Sequence, residues 1–212
     1  MLKTLKPYLY NMSFDALIIG GGVAGLQCAL VLGSAKDKPF AIHKKIGIIA
    51  HQKASHLQNA LFNNVLGLSP KTIGKDLLVT GKQQLSALYP LVSQIENEKV
   101  ISISDIKDGY KVSTNKATYN SKIVIIALNY SKPFTIAGLD HFIEPHQKEN
   151  PEKNRIQLKN KSACIKKGLY CCGTISGCRS QFSIAAGSGA AVATDVLTVW
   201  NADNPVKIHD KI

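Results

Sequence analysis

Phe14-Asp15-Ala16-Leu17-Ile18-Ile19 runs into Gly20-Gly21-Gly22-Val23-Ala24-Gly25 and leaves as Leu26-Gln27-Cys28-Ala29-Leu30-Val31-Leu32. A short apolar run of strand length enters a glycine turn, and an Ala/Leu-rich helical segment follows it. Gly20, Gly22 and Gly25 stand at GxGxxG spacing in this strand–turn–helix context. The physical role of each differs. Gly20 permits the tight turn, Gly22 lets the backbone approach a pyrophosphate, and Gly25 lets the helix lie close to the strand. Val23 and Ala24 open that helix, whose free N–H groups and positive dipole end suit phosphate. The stretch reads as a dinucleotide-binding turn, with a ligand-free glycine turn as the alternative.

Downstream of the turn, Pro39-Phe40-Ala41-Ile42-His43 fits a second strand. The fingerprint expects an acid at the end of that strand to hold ribose hydroxyls. This chain offers His43, then Lys44 and Lys45. Three readings stand open: an imidazole on the ribose, a basic trio receiving a phosphate as an NADP site would, or a solvated turn. A variable loop, His51–Gly67, comes next. Gly74–Tyr89 then carries Leu77, Leu78, Leu85 and Leu88 at helical spacing, closed by Pro90. Leu91-Val92-Ser93 supplies a third parallel strand. Val100–Ser104, Tyr110–Thr114 and Ala117–Tyr119 alternate as a meander around Asp108-Gly109 and Asn115-Lys116. Ile123–Ala127 is a continuous apolar run, as a buried parallel strand requires. His141–Asn160 reads as polar surface connection. Gly168–Thr174 forms a strand ending in glycine, leading to a helix over Gln181–Trp200. Small residues from Ala185 to Ala191 on that helix suit close packing, against another backbone or a flat ring.

With 212 residues the chain is one large domain or two small ones, at about 150 residues per domain. A hydrophobic fraction of 45% with 19% charged residues is ordinary globular composition and excludes a disordered chain. Residues 1–12 read as an extension without a signal peptide, 13–200 as the folded domain and 201–212 as a polar tail. Twenty-six Lys+Arg against 14 Asp+Glu give a net charge of +12. The lysines are scattered, without the aromatic interleaving of a nucleic-acid surface, so no nucleic acid is expected as a partner. Phe182–Trp200 is interrupted by Asp195, Gly and Ser, and is expected to be a packed helix rather than a membrane span.

Five cysteines, Cys28, Cys164, Cys171, Cys172 and Cys178, include no CxxC and no metal knuckle. An adjacent Cys171-Cys172 pair is a poor disulfide. A reducing, cytoplasmic setting without a metal site is expected. Cys178, next to Arg179 and ahead of a helix N-terminus, is the one candidate reactive thiol, against an ordinary loop cysteine. Cys171 and Cys172 are expected to point in opposite directions from a buried strand, one toward the ligand side and one toward the helices.

Taken together, Ile18–Gly25, Gly168-Leu169-Tyr170-Cys171-Cys172-Gly173-Thr174 and Gln181-Phe182-Ser183-Ile184-Ala185-Ala186-Gly187-Ser188-Gly189-Ala190 resemble the thioredoxin reductase-type FAD-dependent oxidoreductases. Those proteins carry a G-V-Y-A-A-G-D type pattern and then R-Q-x-x-x-A-A-G-x-G-A late in the FAD domain. The resemblance implies an α/β, Rossmann-like FAD/NAD(P)-binding fold of three layers, with a central parallel sheet and an antiparallel β-meander crossover. It also implies that the inserted NAD(P)H domain with its redox CxxC is missing, because Ile123–Ala127 is followed by the closing motif after a short connection.

Carried over residue by residue, the resemblance assigns Gly20, Gly22 and Gly25, with Val23 and Ala24, to the pyrophosphate loop, and His43 with Lys44 to the adenosine end. Ala127-Leu128-Asn129 stands where A-T-G is usual. Gly173-Thr174 replaces G-D, exchanging the carboxylate on the ribityl chain for a hydroxyl. Gln181 and Phe182 begin the helix facing the flavin pyrimidine edge, where N–H groups and the dipole stabilise negative charge. The implied cofactor is FAD, and the implied function an FAD-dependent oxidoreductase that relies on external NAD(P)H or a redox partner protein. A homodimer belongs to the same expectation. A non-catalytic FAD- or NADP-binding module is the alternative.

Overall fold

β1 (Met12–Ile19) sits at the centre of the sheet because Phe14, Ala16, Leu17, Ile18 and Ile19 are all apolar and all buried. A strand covered on both faces needs an unbroken apolar run, which Ala16–Ile19 supplies. The computed structural model describes residues 12–51 and 56–209. Residues 1–11 of the expected extension and 210–212 of the tail lie outside the described residues. After β1 come α1 (Val23–Ser34), β2 (Ile46–Ala50), β3 (Leu61–Phe62), β4 (Thr72–Ile73) and α2 (Gly74–Leu88). Then follow β5 (Val92–Glu96), β6 (Val100–Ile106), β7 (Gly109–Thr114), β8 (Thr118–Ile126), β9 (Ile143–Pro145), β10 (Ile156–Leu158), β11 (Cys164–Lys166), β12 (Leu169–Cys171) and α3 (Phe182–Trp200).

The main sheet runs β11-β12-β8-β1-β2-β5, and its pairs β12–β8, β8–β1, β1–β2 and β2–β5 are all parallel. One face carries α1 and α3, with Leu26, Cys28, Leu32, Val192, Val196 and Leu197 in a common apolar layer. On the other face Ile103, Tyr110, Val112, Leu139, Ile156 and Leu158 close a second layer. The antiparallel meander β6–β7–β8 belongs to that side. This is the expected three-layer α/β architecture. β1 is flanked by β2 on one side and β8 on the other, so the chain reverses direction across the sheet there, and the crevice above the carboxyl ends of β1 and β8 is the natural ligand position.

Four expectations change. The second strand is Ile46–Ala50, not Pro39–His43: all five of its residues are buried, whereas 39–43 forms turns with Ile42 exposed. Proline lacks the N–H a ladder needs, and only the Ile46-Gly47-Ile48-Ile49 run can be buried on two faces. Ala117–Tyr119 and Ile123–Ala127 are not separate strands, because β8 runs through both. It pairs with β7 over Thr118–Ser121 and passes on the same edge to β12 over Val124–Ile126. Residues 141–160 are not merely surface: β9 and β10 form an antiparallel pair in which Ile156 and Leu158 are buried. Finally, Leu88 is exposed, and α2 buries Leu78 and Leu85. In the tail, Val206 and Ile208 pack against the helical layer.

α3 is long and apolar enough to cross a membrane. In the fold one face of it, Gly189, Val192, Ala193, Val196 and Leu197, is buried against the sheet-side layer and α1. A Cβ on Gly189 would overlap the Ala24 carbonyl oxygen, so the two helix backbones touch there. The Gly189→Val variant is expected to lose about 2 kcal/mol of stability through overpacking at this crossing, measured by denaturant unfolding.

At the amino end of β1, the Asp15 carboxylate accepts from the Lys45 backbone N–H at 2.9 Å and from Lys122 Nζ at 3.0 Å, with Lys44 Nζ at 4.0 Å. Burial works against its ionisation, but the Lys45 N–H and the Lys122 and Lys44 charges outweigh it and hold the carboxyl below its usual range. A depressed folded pKa contributes stability above the unfolded value, near pH 4, and loses it as pH falls through the folded value. Asp15→Asn is therefore expected to be less stable than the parent at neutral pH, the difference closing as the solution is acidified below about pH 4 in a series of thermal melts.

Candidate functional site

The glycine turn leaves β1 at Gly20, whose φ of +119° only glycine adopts without strain. A Cβ there would strike the Ala127 carbonyl oxygen at the end of β8. Gly25, one turn into α1, is sealed in the same way against the Gly20 carbonyl. Gly22 differs: nothing lies within 4 Å of the position its Cβ would occupy. Its backbone faces open space, and it is the N-cap of α1 without any side chain to cap the helix. Free N–H groups at this helix start therefore point toward the crevice.

That crevice is a cavity of about 610 Å³, within the range of small-molecule and cofactor sites. Gly20, Gly22, Val23 and Ala24 form one wall, Ala127 and Asn129 the end of β8, and Gly173, Thr174, Gln181 and Phe182 the far side. Thus residues some 150 positions apart in sequence meet around one space, because β1, β8 and β12 are adjacent parallel strands whose carboxyl ends align. Gly25 lies beneath the floor rather than in it, and supports Gly20.

Gly173, at φ +76°, turns the chain out of β12, and its N–H donates to Ser188 Oγ at 2.8 Å. This ties the turn to α3. Gln181 is the N-cap of α3, its Oε1 accepting from the Ile184 N–H at 2.9 Å. The side chain expected to face a ligand is thus spent on the Ile184 N–H of the helix, and the backbone N–H groups of Phe182 and Ser183 remain at the start of α3. Phe182 meets Phe62 edge to face, with ring centroids 5.0 Å apart, and the pair closes that end of the space.

His43 and Lys44 are not at the site. Lys45 carbonyl accepts from the Asp15 N–H at 2.8 Å, which puts this segment at the amino end of β1. Gly20 lies five residues on, about 16 Å along a strand. Lys44 is engaged there with Asp15 and sits over the Trp200 ring at 5.5 Å. The residue that follows β2, and so takes the position expected of His43, is His51, which lines the cavity. Both the imidazole and the phosphate-binding readings of His43–Lys45 fail for the same reason: the strand beside β1 lies one segment further along the chain.

Phe62, Glu98 and Lys99 also line the cavity, and sequence reasoning does not find them. The apolar run Ile46–Ala50 is a signal for His51. Glu98 and Lys99 have none, because they lie in a polar loop between β5 and β6 that only the sheet brings to the crevice. That loop is fastened at several points. Asn97 N–H donates to the Ala50 carbonyl at 3.1 Å, Lys99 N–H to Asn115 Oδ1 at 2.8 Å, and Asn115 N–H to the Lys99 carbonyl at 3.0 Å. Glu98 accepts from Thr114 Oγ1 at 2.6 Å and from the Tyr119 hydroxyl at 3.0 Å to each carboxylate oxygen. Burial, then the bond to Glu98, pushes the Tyr119 hydroxyl up to about 12, so it stays a donor at neutral pH.

Among the cysteines, burial raises Cys28 and Cys172 far above the ordinary thiol range and Cys171 to about 12. Such thiols do not ionise near neutral pH and are poor nucleophiles. Cys172 packs in the helical layer and Cys171 in the opposite one, the alternation a strand imposes. Cys178 is half-buried, with Sγ 3.4 Å from Ser176 Oγ, and does not line the cavity. The fold does not bring it to the crevice.

No family model matches the chain. Ferredoxin–NADP reductases of Streptococcus pyogenes are 27% identical over 117 residues, 55% of this chain and 35% of theirs, so the chain spans about a third of the length of these curated relatives. Solved structures match more widely. An oxidoreductase from Agrobacterium tumefaciens superposes with a TM-score of 0.69 at 14% identity, covering 91% of this chain and 100% of that one. A thioredoxin reductase from Gloeobacter violaceus gives 0.70 at 12% identity, covering 95% and 99%. A ferredoxin-flavin thioredoxin reductase from Clostridium acetobutylicum gives 0.66 at 16%, covering 90% and 98%. The fold of this chain is that of the thioredoxin reductase-like oxidoreductases.

Proposed function

We propose that the chain is an FAD-binding oxidoreductase that takes its electrons from an external NAD(P)H or a redox partner protein. The observation that carries this reading is the contrast among the three fingerprint glycines. Gly20 and Gly25 are closed against backbone, while Gly22 opens onto the cavity beside an uncapped helix start. A glycine at a position where a side chain would meet nothing is explained by a ligand that comes close to the backbone.

The residues present fit FAD in the crevice. Gly22, Val23 and Ala24 would hold the pyrophosphate, Gly173 and Thr174 would face the ribityl chain, and the first turn of α3 would face the ring system. When bound, a flavin supplies hydride and electron transfer. Around it this chain's own groups bind and polarise: the N–H groups of α1 neutralise phosphate charge, and the positive end of α3 favours negative charge near Phe182 and Ser183. Thr174 offers a neutral hydroxyl in place of a carboxylate. Phe62 and Phe182 exclude water from one end.

The sequence holds no CxxC, and burial disables Cys171 and Cys172, so a dithiol relay within these residues is not part of the reading. Reducing equivalents must then leave the site directly to an acceptor. A soluble cytoplasmic protein that acts as a dimer belongs to the same proposal, on the resemblance alone.

Purified protein is expected to be yellow, with flavin absorption bands, or to become so on adding FAD. A colourless protein that refuses FAD overturns the reading. Anaerobic mixing with NADH or NADPH separates enzyme from module: bleaching with either donor identifies a self-sufficient reductase. Gly22→Leu is expected to melt like the parent and to lose FAD binding by about a hundredfold or more, because the side chain enters the ligand's space. Gly20→Leu, by contrast, is expected not to fold, as judged by circular dichroism.

A further inference from the structure

The carboxylate absent from the end of β2 is available from the neighbouring strand. β2 and β5 are paired in register through Ala50 and Glu96, so the residues that follow them, His51 and the Asn97–Lys99 loop, emerge side by side at the same end of the cavity. In a doubly wound fold this end receives the adenosine ribose, and an acid there accepts from its hydroxyls. Glu98 lines the cavity at that place.

Its carboxylate is held more firmly than surface solvation requires. Tyr119 and Thr114 grip it from the meander, and the backbone of its loop is tied to β2 on one side and to the β7–β8 turn on the other. No lysine or arginine pairs with Glu98 among the described residues. A carboxylate has about four acceptor sites. Two hydroxyl donors leave capacity for more, and no cation among the described residues pairs with the carboxylate. A fixed carboxylate at the edge of a nucleotide-sized cavity attracts hydroxyl donors and repels phosphate.

Resting on the FAD reading above, we infer that Glu98 is the ribose-positioning residue of this site: it accepts from the 2′,3′-diol of the adenosine moiety and excludes nucleotides phosphorylated at the 2′ position. Glu98 thus replaces, from the adjacent strand, the acid that His51 displaces at the end of β2. Tyr119 acts through Glu98 by fixing its orientation.

The test is equilibrium binding to flavin-free protein, with FAD, FMN, ADP and 2′-phospho-ADP as probes. FMN lacks the adenosine half, and the two nucleotides differ only at the 2′ oxygen. Glu98→Gln is expected to weaken FAD about tenfold or more, the usual scale for losing a charged hydrogen bond, and to leave FMN affinity unchanged. The parent is expected to prefer ADP to 2′-phospho-ADP by about tenfold or more, and Glu98→Gln to narrow that ratio. Tyr119→Phe is expected to lower FAD affinity by a smaller factor than Glu98→Gln, with thermal melts confirming that both variants fold. A purely structural Glu98 would lower the melting temperature and move FAD and FMN together, which overturns the inference. Unchanged FAD affinity in Glu98→Gln overturns it while the flavin reading stands. Parent protein that binds ADP with the expected ratio but neither flavin overturns the flavin reading and supports the inference.

Discussion

Backbone contact at the carboxyl ends of β1 and β8 is the constraint on which the rest of the molecule depends. Gly20 lies against the Ala127 carbonyl, Gly25 against Gly20, and Gly189 against Ala24. Strand, turn and two helices therefore meet without side chains between them. Such proximity costs nothing only where every partner lacks a Cβ in the way. It brings the starts of α1 and α3 to one cavity, so that the positive dipole ends of two helices open on the same space.

From this junction the division of labour across the sheet follows. The helical face is sealed by Cys28, Leu32, Val192 and Leu197, and the opposite face by the meander and by Ile156 and Leu158. The meander also reaches the site. Tyr119 opens β8's antiparallel half and bonds to Glu98, so the layer that covers the sheet also shapes the adenosine end of the crevice. The net charge of +12 is not concentrated there. Part of it, Lys44 and Lys122, clusters around Asp15 at the opposite end of β1 and serves stability instead.

Local pattern and long-range placement divide the residues of the site unequally. Gly20, Gly22 and Gly25 are legible because turn chemistry leaves glycines at fixed spacings, and Gly173, Thr174 and Gln181 are legible through the resemblance that the closing motif carries. Gln181 is legible only in position: its side chain caps α3 rather than facing the cavity. His43 misleads because Pro39–His43 looks like a strand in isolation. What excludes it is competition with Ile46–Ala50 for a position buried on both faces, and that competition exists only once β1 and β5 flank the gap.

The amino-acid sequence by itself determined the strand–glycine turn–helix unit and the closing strand–glycine turn with its helix, since these rest on periodicity and on backbone conformations only certain residues adopt; the three-layer class followed from the resemblance that these motifs carry. Tertiary structure alone decided which strand lies beside β1, that β8 is a single strand shared between meander and sheet, and that His51, Phe62 and Glu98 border the cavity. The reason is physical: strand pairing joins residues tens of positions apart, and polar loops carry no periodic signal of where the sheet will deliver them.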